Sequence, residues 1–417
     1  MNDPDAIEEW CDEHLVDLYN EGMFDDEEIS EEVWDAVATT SQDTLLEFIE
    51  DDEERDTLAD EITEASREWF RNHHETMIEA LPTLTMGHIS HFTNKPQVSQ
   101  HSAEWYNQRR NRLTASEFAH ILDGRRGSLL RSKTDLDAAA ENRGSGTPVA
   151  IAQEDGNMNA TSWGHRFESI TRDIYELEIA GVGSVCDTLG RFTHATIPWL
   201  SASPDGLVVS GPLAGRLVEI KSPKTRQPGE FVPVDYYAQM QIQMEVCDLD
   251  AVDFVEAQFE QRPTWFGLAD AADKSHSPLS EEDEASVVAA RWKGRIEVYG
   301  YYEDSSTWRY RYTVPAEDLE DATFNTPAPV GIPLLESTVW WLAGWYQRTV
   351  LRNPTWWSAV GWPAAELFWA EVTSIRQAPP PTTLTIQDNG DIIEHVGGGW
   401  LGSATQIQIQ PQIYSPE

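Results

Sequence analysis

The order of segments along this chain predicts a mixed α/β fold (α+β in its layering): a central mixed sheet flanked by helices, with an acidic helical extension at the N-terminus. Three observations lead there. From about residue 104 onward the pattern runs helix, strands, helix, strands, the order of a sheet with helices packed on it. The first 80 residues hold about thirty Asp and Glu against only Arg55, Arg67 and Arg71, a segregation that marks an appended region. A length of 417 residues, 40% hydrophobic with 17 Trp, is enough for one sizeable core plus appendages.

Residues 1–81 read as short amphipathic helices. Ile7, Trp10, Leu15 and Leu18 fall near helical spacing and the pattern stops at Gly22, while Thr44–Ile49 and Ile62–Leu81 continue it. The segment forms a small bundle or, given its acid blocks, a solvated tail. Residues 82–103, with Pro, Gly, Asn and Ser and little periodicity, read as a linker. "LTASEFAHIL" predicts a helix capped at Thr114 or Ser116. After a loop over 141–160, "WGHRFESITRDIYELEI" predicts a helix opened by Gly164, with Phe167, Ile170, Ile174 and Tyr175 on one apolar face.

Strands are expected at 185–193, 197–209 and 215–222, a helix at 235–247 and a strand at 250–258. "GRIEVYGYYE" and "TWRYRYTVP" alternate at period two and predict two more strands. "ESTVWWLAGWYQRTVLRN" and "AAELFWAEVTSIRQ" read as Trp-rich closing helices. Residues 376–417 turn to Pro, Gly, Gln and Thr and predict a poorly ordered tail with at most one edge strand.

Composition narrows the function classes. No apolar run approaches the ~18 residues of a membrane span. The acidic start "MNDPDAIEEW" lacks a basic-then-apolar leader, and Cys11, Cys186 and Cys247 are too scattered for a disulfide framework or a metal cluster. An intracellular setting follows, in the cytoplasm or nucleus of a host cell if the source is viral. The net charge of −43 opposes nucleic-acid binding at first sight. Locally the balance reverses: residues 105–143 hold Arg109, Arg110, Arg112, Arg125, Arg126, Arg131, Lys133 and Arg143, and the local field decides. About six of the 29 basic residues are lysine, which fits either a salt-adapted host or a GC-rich genome.

The chemistry concentrates in "SPDGLVVSGPLAGRLVEIKSP", residues 203–223. Strand period puts Leu217, Glu219 and Lys221 on one face and Val218 and Ile220 on the other. The Pro204–Gly206 turn releases Asp205 at the start of the preceding strand, so two antiparallel strands can bring Asp205 and Glu219 to one cation. Carboxylate oxygens suit Mg²⁺, or Mn²⁺, and Lys221 beside the ion can orient or deprotonate a water or steady charge on a phosphorane. The plain alternative is an exposed Glu–Lys pair on a surface strand, contributing well under ~1 kcal/mol.

Four separated pieces, "WYNQRRNRLTASEFAHIL", "WGHRFES", "SASPDGLVV" with "VEIKSP", and "YYAQMQIQM", occur in the order and spacing of the YqaJ-like viral recombinases. The chain resembles this phage lambda exonuclease branch of the PD-(D/E)xK nucleases over about residues 100–260, and more loosely resembles members from large DNA viruses through "ELFWAEV". The resemblance implies a restriction-endonuclease-like sheet, an exonuclease domain over 104–375, and a Mg²⁺-dependent deoxyribonuclease resecting duplex DNA ends for recombination or repair. It also implies a single-strand annealing protein as partner and a homo-oligomer. The first 95 residues lie outside it.

By the same resemblance Asp205, Glu219 and the backbone carbonyl of Ile220 are metal ligands, Lys221 is the catalytic lysine, and Glu168 completes the acidic cluster directly or through water. The bland reading of Glu168 is a surface pair with Arg172. Gln239 takes the place of an active-site glutamine, with Gln241 as a second register and a polar helix face of Gln239 and Gln243 as the rival. Arg109 and Ser116 fall on positions that hold a 5′-phosphate, and Arg110 and Arg112 can line the backbone track. The rival is that these arginines neutralise the acidic N-terminal region; Trp105 reads as core rather than a stacking platform. A catalytically idle DNA-binding or interaction protein is the alternative function. Its mark would be a missing acid or lysine, and none is missing.

Overall fold

The structure, a computed structural model, describes residues 52–94, 103–123, 125–134, 158–229, 231–267, 274–276, 278–301, 304–377, 382–386, 392–396 and 407–409. Of the first fifty it describes 7, 10–12, 14–16, 19, 37–41 and 46. The chain divides into two compact units, residues 1–119 with 145–363 and residues 120–144 with 364–417.

In the first unit α1 (Asp52–Glu79) is the long acidic helix. Its apolar residues Leu58, Ile62 and Phe70 join Trp10, Cys11, Leu15, Val37 and Leu46 in one buried cluster, so the described part of this region packs a core of its own. Leu46 sits in a bend, and most of the helix expected over 44–49 lies outside the described residues. The stretch read as a linker contains α2 (Met86–Thr93), whose Ile89 and Phe92 are buried, Phe92 edge-on to Phe192 at 5.6 Å. Two apolar residues three apart suffice to seat a helix of eight; the short repeat hid it among Gly, Asn and Ser.

α3 (Ala103–Arg110) carries Arg109 and Arg110 in its last turn. Trp105 lies on it, but its side chain is outside the described residues. β1 (Leu113–Thr114) leads into α4 (Ala115–Leu122), and α5 (Arg126–Thr134) follows in the second unit. α6 (Ala160–Tyr175) starts four residues before Gly164, because Asn159 caps it by accepting from Ser162 N–H at 2.8 Å. Its apolar face is the expected one: Phe167, Ile170 and Ile174 pack with Trp163 against Phe259, Ile296, Val298 and Trp340.

The strand-like stretches resolve into β2 (Val185–Cys186), β3 (Phe192–Thr193), β4 (Leu200–Ala202), β5 (Gly206–Val208) and β6 (Leu217–Lys221). The buried helix α7 (Val234–Cys247) crosses from β6 to β7 (Ala251–Gly267), which runs parallel to it. Then come β8 (Lys274–His276), α8 (Glu281–Ala289), β9 (Lys293–Tyr301), β10 (Asp304–Tyr312) and β11 (Leu334–Leu351). The main sheet has the order β10-β9-β11-β7-β6-β5-β2, with β8 on β7. Only β6–β7 is parallel along that path, so the sheet is mixed, as expected. A small sheet β1-β4-β3 stands apart from it.

β11 corrects the first of the two closing helices. "LLESTVWWLAGWYQRTVL" is an 18-residue strand paired with β7 from Glu336 to Leu351 and with β9 over its first half. Its first half, paired on both sides and mostly buried, has no wet face, so it loses its alternation and imitates a buried helix. Its Thr, Val, Trp and Tyr content was the better guide. The second closing helix is present as α9 (Trp362–Gln377). The second unit adds β12 (Thr382–Ile386), β13 (Ile392–Val396) and β14 (Ile407–Ile409), an antiparallel three-stranded sheet where a tail with one edge strand was expected. Its Thr/Ile and Ile/Gln alternations carry that signal; the surrounding Gly and Pro obscured it.

Candidate active site

The register of the main sheet builds the site. β5 and β6 pair antiparallel with Gly206 opposite Val218, which places Asp205 next to Glu219 at the end of the hairpin. Gly206 has to be glycine: a Cβ there would stand 2.7 Å from Val185 and 3.4 Å from Val218. Val218 and Ile220 turn into a core of Tyr175, Val208 and Val255, the face assignment expected from strand period. The other face presents Glu219 and Lys221 to a cavity of about 170 Å³. Glu168 from α6, Asp205, Gln239 and Gln243 from α7, and Arg109, Ser116, His165 and Arg191 line the same cavity.

Glu219 is only 1% exposed and is held by three donors. Gln239 Nε2 donates to Oε1 at 2.6 Å, Gln243 Nε2 donates to Oε2 at 2.6 Å, and Lys221 Nζ also donates to Oε1. Gln241 faces the other way, donating to Leu351 O at 2.8 Å and accepting from Asn353 N–H, so it lies on the far side of α7. Asp205 Oδ2 accepts the N–H of Ile220 at 2.8 Å; the backbone of Ile220 thus enters the site through its amide. Arg172 pairs with Asp187 and Asp173 rather than with Glu168.

The electrostatics are those of an acid cluster short of positive charge. Burial first, then Glu219 and Glu168, raise the Asp205 carboxyl well above the ordinary carboxylate range. Glu168 is raised by burial, with Lys221 opposing and Glu219 adding to the shift. Burial works against the Lys221 ammonium, but Glu219 and then Asp205 outweigh it and hold its pKa above the ordinary value. Lys221 Nζ also stands 4.9 Å from the centre of the Tyr236 ring.

Hard carboxylate oxygens whose mutual repulsion is only partly offset are the donor set a small divalent cation needs. Asp205, Glu168 and Glu219 fit such an ion in chemistry. Among the described residues no group of three His, Cys, Asp or Glu is assembled as a ligand set. Both oxygens of Glu219 face N–H donors.

The anion side of the cavity is built on a capping box. Thr114 precedes α4, and Glu117 reaches back to accept from Thr114 N–H at 3.2 Å and Thr114 Oγ1 at 2.8 Å. The other oxygen of Glu117 accepts Arg109 Nε–H at 2.8 Å, which fixes the plane of that guanidinium. Ser116 Oγ lies 3.3 Å from Thr114 Oγ1. Arg110 and Arg112 do not line the cavity; Arg112 instead bonds Gln108 at 3.3 Å. Arg125 pairs with Asp123 and Arg126 with Glu371, all within the second unit.

Sequence reasoning missed Arg191 and His165. Arg191 is buried, and burial, then Arg109, with Arg112 adding, lowers its pKa to about 10. Burial also lowers His165. A charged residue between Leu189 and Phe192, both buried, is the same anomaly that singled out Glu219, and it was there to be read.

Residues 104–250 match the family model of the YqaJ-like viral recombinase domain, the family that the sequence motifs resemble. An uncharacterized protein of Acanthamoeba polyphaga mimivirus is 26% identical over 185 residues, 41% of this chain and 31% of that protein. The chain thus spans less than a third of that curated relative. Among solved structures the chain is similar to an alkaline exonuclease (LHK-Exo) from Laribacter hongkongensis, with 18% identity and a TM-score of 0.36 over 66% of this chain and 93% of that one. The same protein in complex with dAMP matches with 17% identity and a TM-score of 0.35 over the same shares.

Proposed function

Taking residues 104–250 as a YqaJ-like viral recombinase domain, we propose that the chain is a metal-dependent DNA nuclease, an exonuclease that shortens duplex ends by hydrolysing phosphodiester bonds. One observation carries the reading. Glu168, Asp205, Glu219 and Lys221 come from three separate elements and line one cavity together with Arg109 and Ser116. Acids for a cation and a cradle for an anion, side by side, are what phosphodiester hydrolysis needs.

Asp205, Glu168 and Glu219, with the carbonyl of Ile220, would hold Mg²⁺ or Mn²⁺. A bound divalent cation supplies Lewis acidity and a more acidic water. The remaining roles belong to the chain. Lys221 places an ammonium where negative charge builds on the phosphorus oxygens. Gln239 and Gln243 fix the orientation of Glu219 and keep its negative charge solvated in a dry site. Arg109, with Arg191 beside it, and the Ser116 hydroxyl at the start of α4 receive a terminal phosphate; Arg110 and Arg112 serve the backbone outside the cavity. Resection of ends for recombination, alongside an annealing protein and as a homo-oligomer, belongs to the same proposal. No described helix is long and apolar enough to cross a membrane.

A second reading, a catalytically idle DNA-binding protein on the same scaffold, is favoured by one fact: both oxygens of Glu219 already accept protein donors, three in all. Offering the full chain duplexes with 5′-phosphate or 5′-hydroxyl ends, in Mg²⁺ or in EDTA, separates the two. The nuclease reading expects Mg²⁺-dependent release of nucleotides, faster from phosphorylated ends, and loss of rate by about 10²–10⁴-fold in Asp205→Asn and in Lys221→Ala. DNA binding with no Mg²⁺-dependent product, or near-normal rates in both variants, would leave the idle scaffold standing.

A further inference from the structure

A cavity of the first unit lies away from the acidic site, lined by Ile7, Cys11 and Asp12 on one side and by residues of α1 on the other. It measures about 470 Å³, inside the ~300–1,000 Å³ span of ligand sites. Its walls combine two kinds of group. Trp69 and His73, one turn apart on α1, stack at 4.6 Å and 11°; behind them, outside the cavity lining, Tyr19 meets His73 edge-on at 4.7 Å. Asp12 and Glu68 stand beside them; Trp69 Nε1 donates to Asp12 Oδ1 at 2.7 Å, and Glu68 has no ion-pair partner among the described residues. The aromatic row is anchored in the fold. His74 Nε2 donates to the backbone oxygen of Thr349 in β11 at 3.0 Å, so its Nδ1 is the acceptor for the Tyr19 hydroxyl at 2.7 Å.

We propose that this groove binds an arginine side chain presented by a basic partner protein. The negative faces of an indole and an imidazole attract a cation, and a flat guanidinium can stack on a ring while its donors reach carboxylates at the edge. Asp12 and Glu68 are those carboxylates. Burial lowers the His73 pKa, with Asp12 opposing, so the shift favours the uncharged ring that does not repel a cationic guest. The surrounding field has the matching sign, because α1 carries ten acidic side chains against three arginines. An anionic guest is repelled by that field, and an apolar one would bury Asp12 and Glu68 unpaired.

The test is binding of a labelled arginine–glycine repeat peptide to the full chain, followed by anisotropy at about 0.3 M salt, where long-range attraction is screened. Trp69→Leu and Asp12→Asn should each weaken binding about two- to fivefold, and Trp69→Phe should retain most of it. Glu79→Gln, which removes an equal charge at the far end of α1, should leave the affinity unchanged, and a lysine–glycine peptide should bind more weakly. Equal losses in Asp12→Asn and Glu79→Gln would reduce the effect to general charge and overturn the site. So would tight binding by Trp69→Leu, or no binding of the peptide at all. Nuclease rates of these variants should match the parent chain, so the result stands apart from the fate of the nuclease reading.

Discussion

Glu219 is the residue whose surroundings say most. A carboxylate at 1% exposure in the middle of a sheet is tolerated because two glutamine amides and an ammonium donate to it. Lys221 in turn is placed by a chain that starts in the core. Buried Glu256 on β7, paired in register with Lys221, binds Arg226; Arg226 donates to the Tyr236 hydroxyl, and the Tyr236 ring lies under the Lys221 ammonium. Replacing that ring should misplace the ammonium without touching DNA affinity. Tyr236→Leu is expected to lower kcat about 2–30-fold, the rate equivalent of a desolvated cation–π contact, with KM for the duplex unchanged. Tyr236→Phe, which keeps the ring, should lose less than about threefold. A parallel fall in both variants, or a change confined to KM, would mean Tyr236 acts otherwise.

At the scale of elements, α6 and β11 are bolted together by Arg166 and Glu336, an ion pair with neither side chain exposed, to which Thr338 also donates. Breaking one side leaves an uncompensated buried charge. Arg166→Ala should destabilise the fold by about 3–5 kcal/mol, whereas the double replacement Arg166→Met with Glu336→Leu should cost much less; chemical denaturation of the three proteins checks the ordering. The same elements show what the sequence could and could not disclose. The apolar face of α6 and the face assignment of β6 were legible because each element sets apolar residues on one side and charged or polar residues on the other. β11 was not, because its first half, flanked on both sides and mostly buried, reads like any apolar run. α7 was intermediate. Its glutamines were visible, but only the register against Leu351 and Asn353 separates Gln241 from Gln239 and Gln243. Arg191 was legible by the rule already applied to Glu219 and was passed over. The donor set around Glu219 depends on three partners from two elements and had no signature in the chain order.

For the whole molecule, a net charge of −43 has to coexist with the proposed DNA binding. The structure separates the two signs: acid on α1 and around its groove, guanidinium groups of Arg109, Arg112 and Arg191 close enough to act on one another. Binding should therefore depend steeply on salt despite the overall charge. In a plot of log affinity against log salt for a catalytically silent Asp205→Asn chain on duplex DNA, Arg109→Ala should make the slope shallower by about 0.9, the share of one phosphate contact. An unchanged slope would remove Arg109 from the phosphate cradle and leave it as the partner of Glu117.

The central claim is that Glu168, Asp205 and Glu219 together hold a divalent ion next to Lys221. Calorimetric titration of the full chain with Mn²⁺ addresses it without any turnover. The account predicts saturable binding that disappears in Asp205→Asn and weakens at least tenfold in Glu168→Gln, as expected when a ligand of a small site is removed. Binding that survives Asp205→Asn intact, or a parent chain that takes up no Mn²⁺ at all, would contradict it.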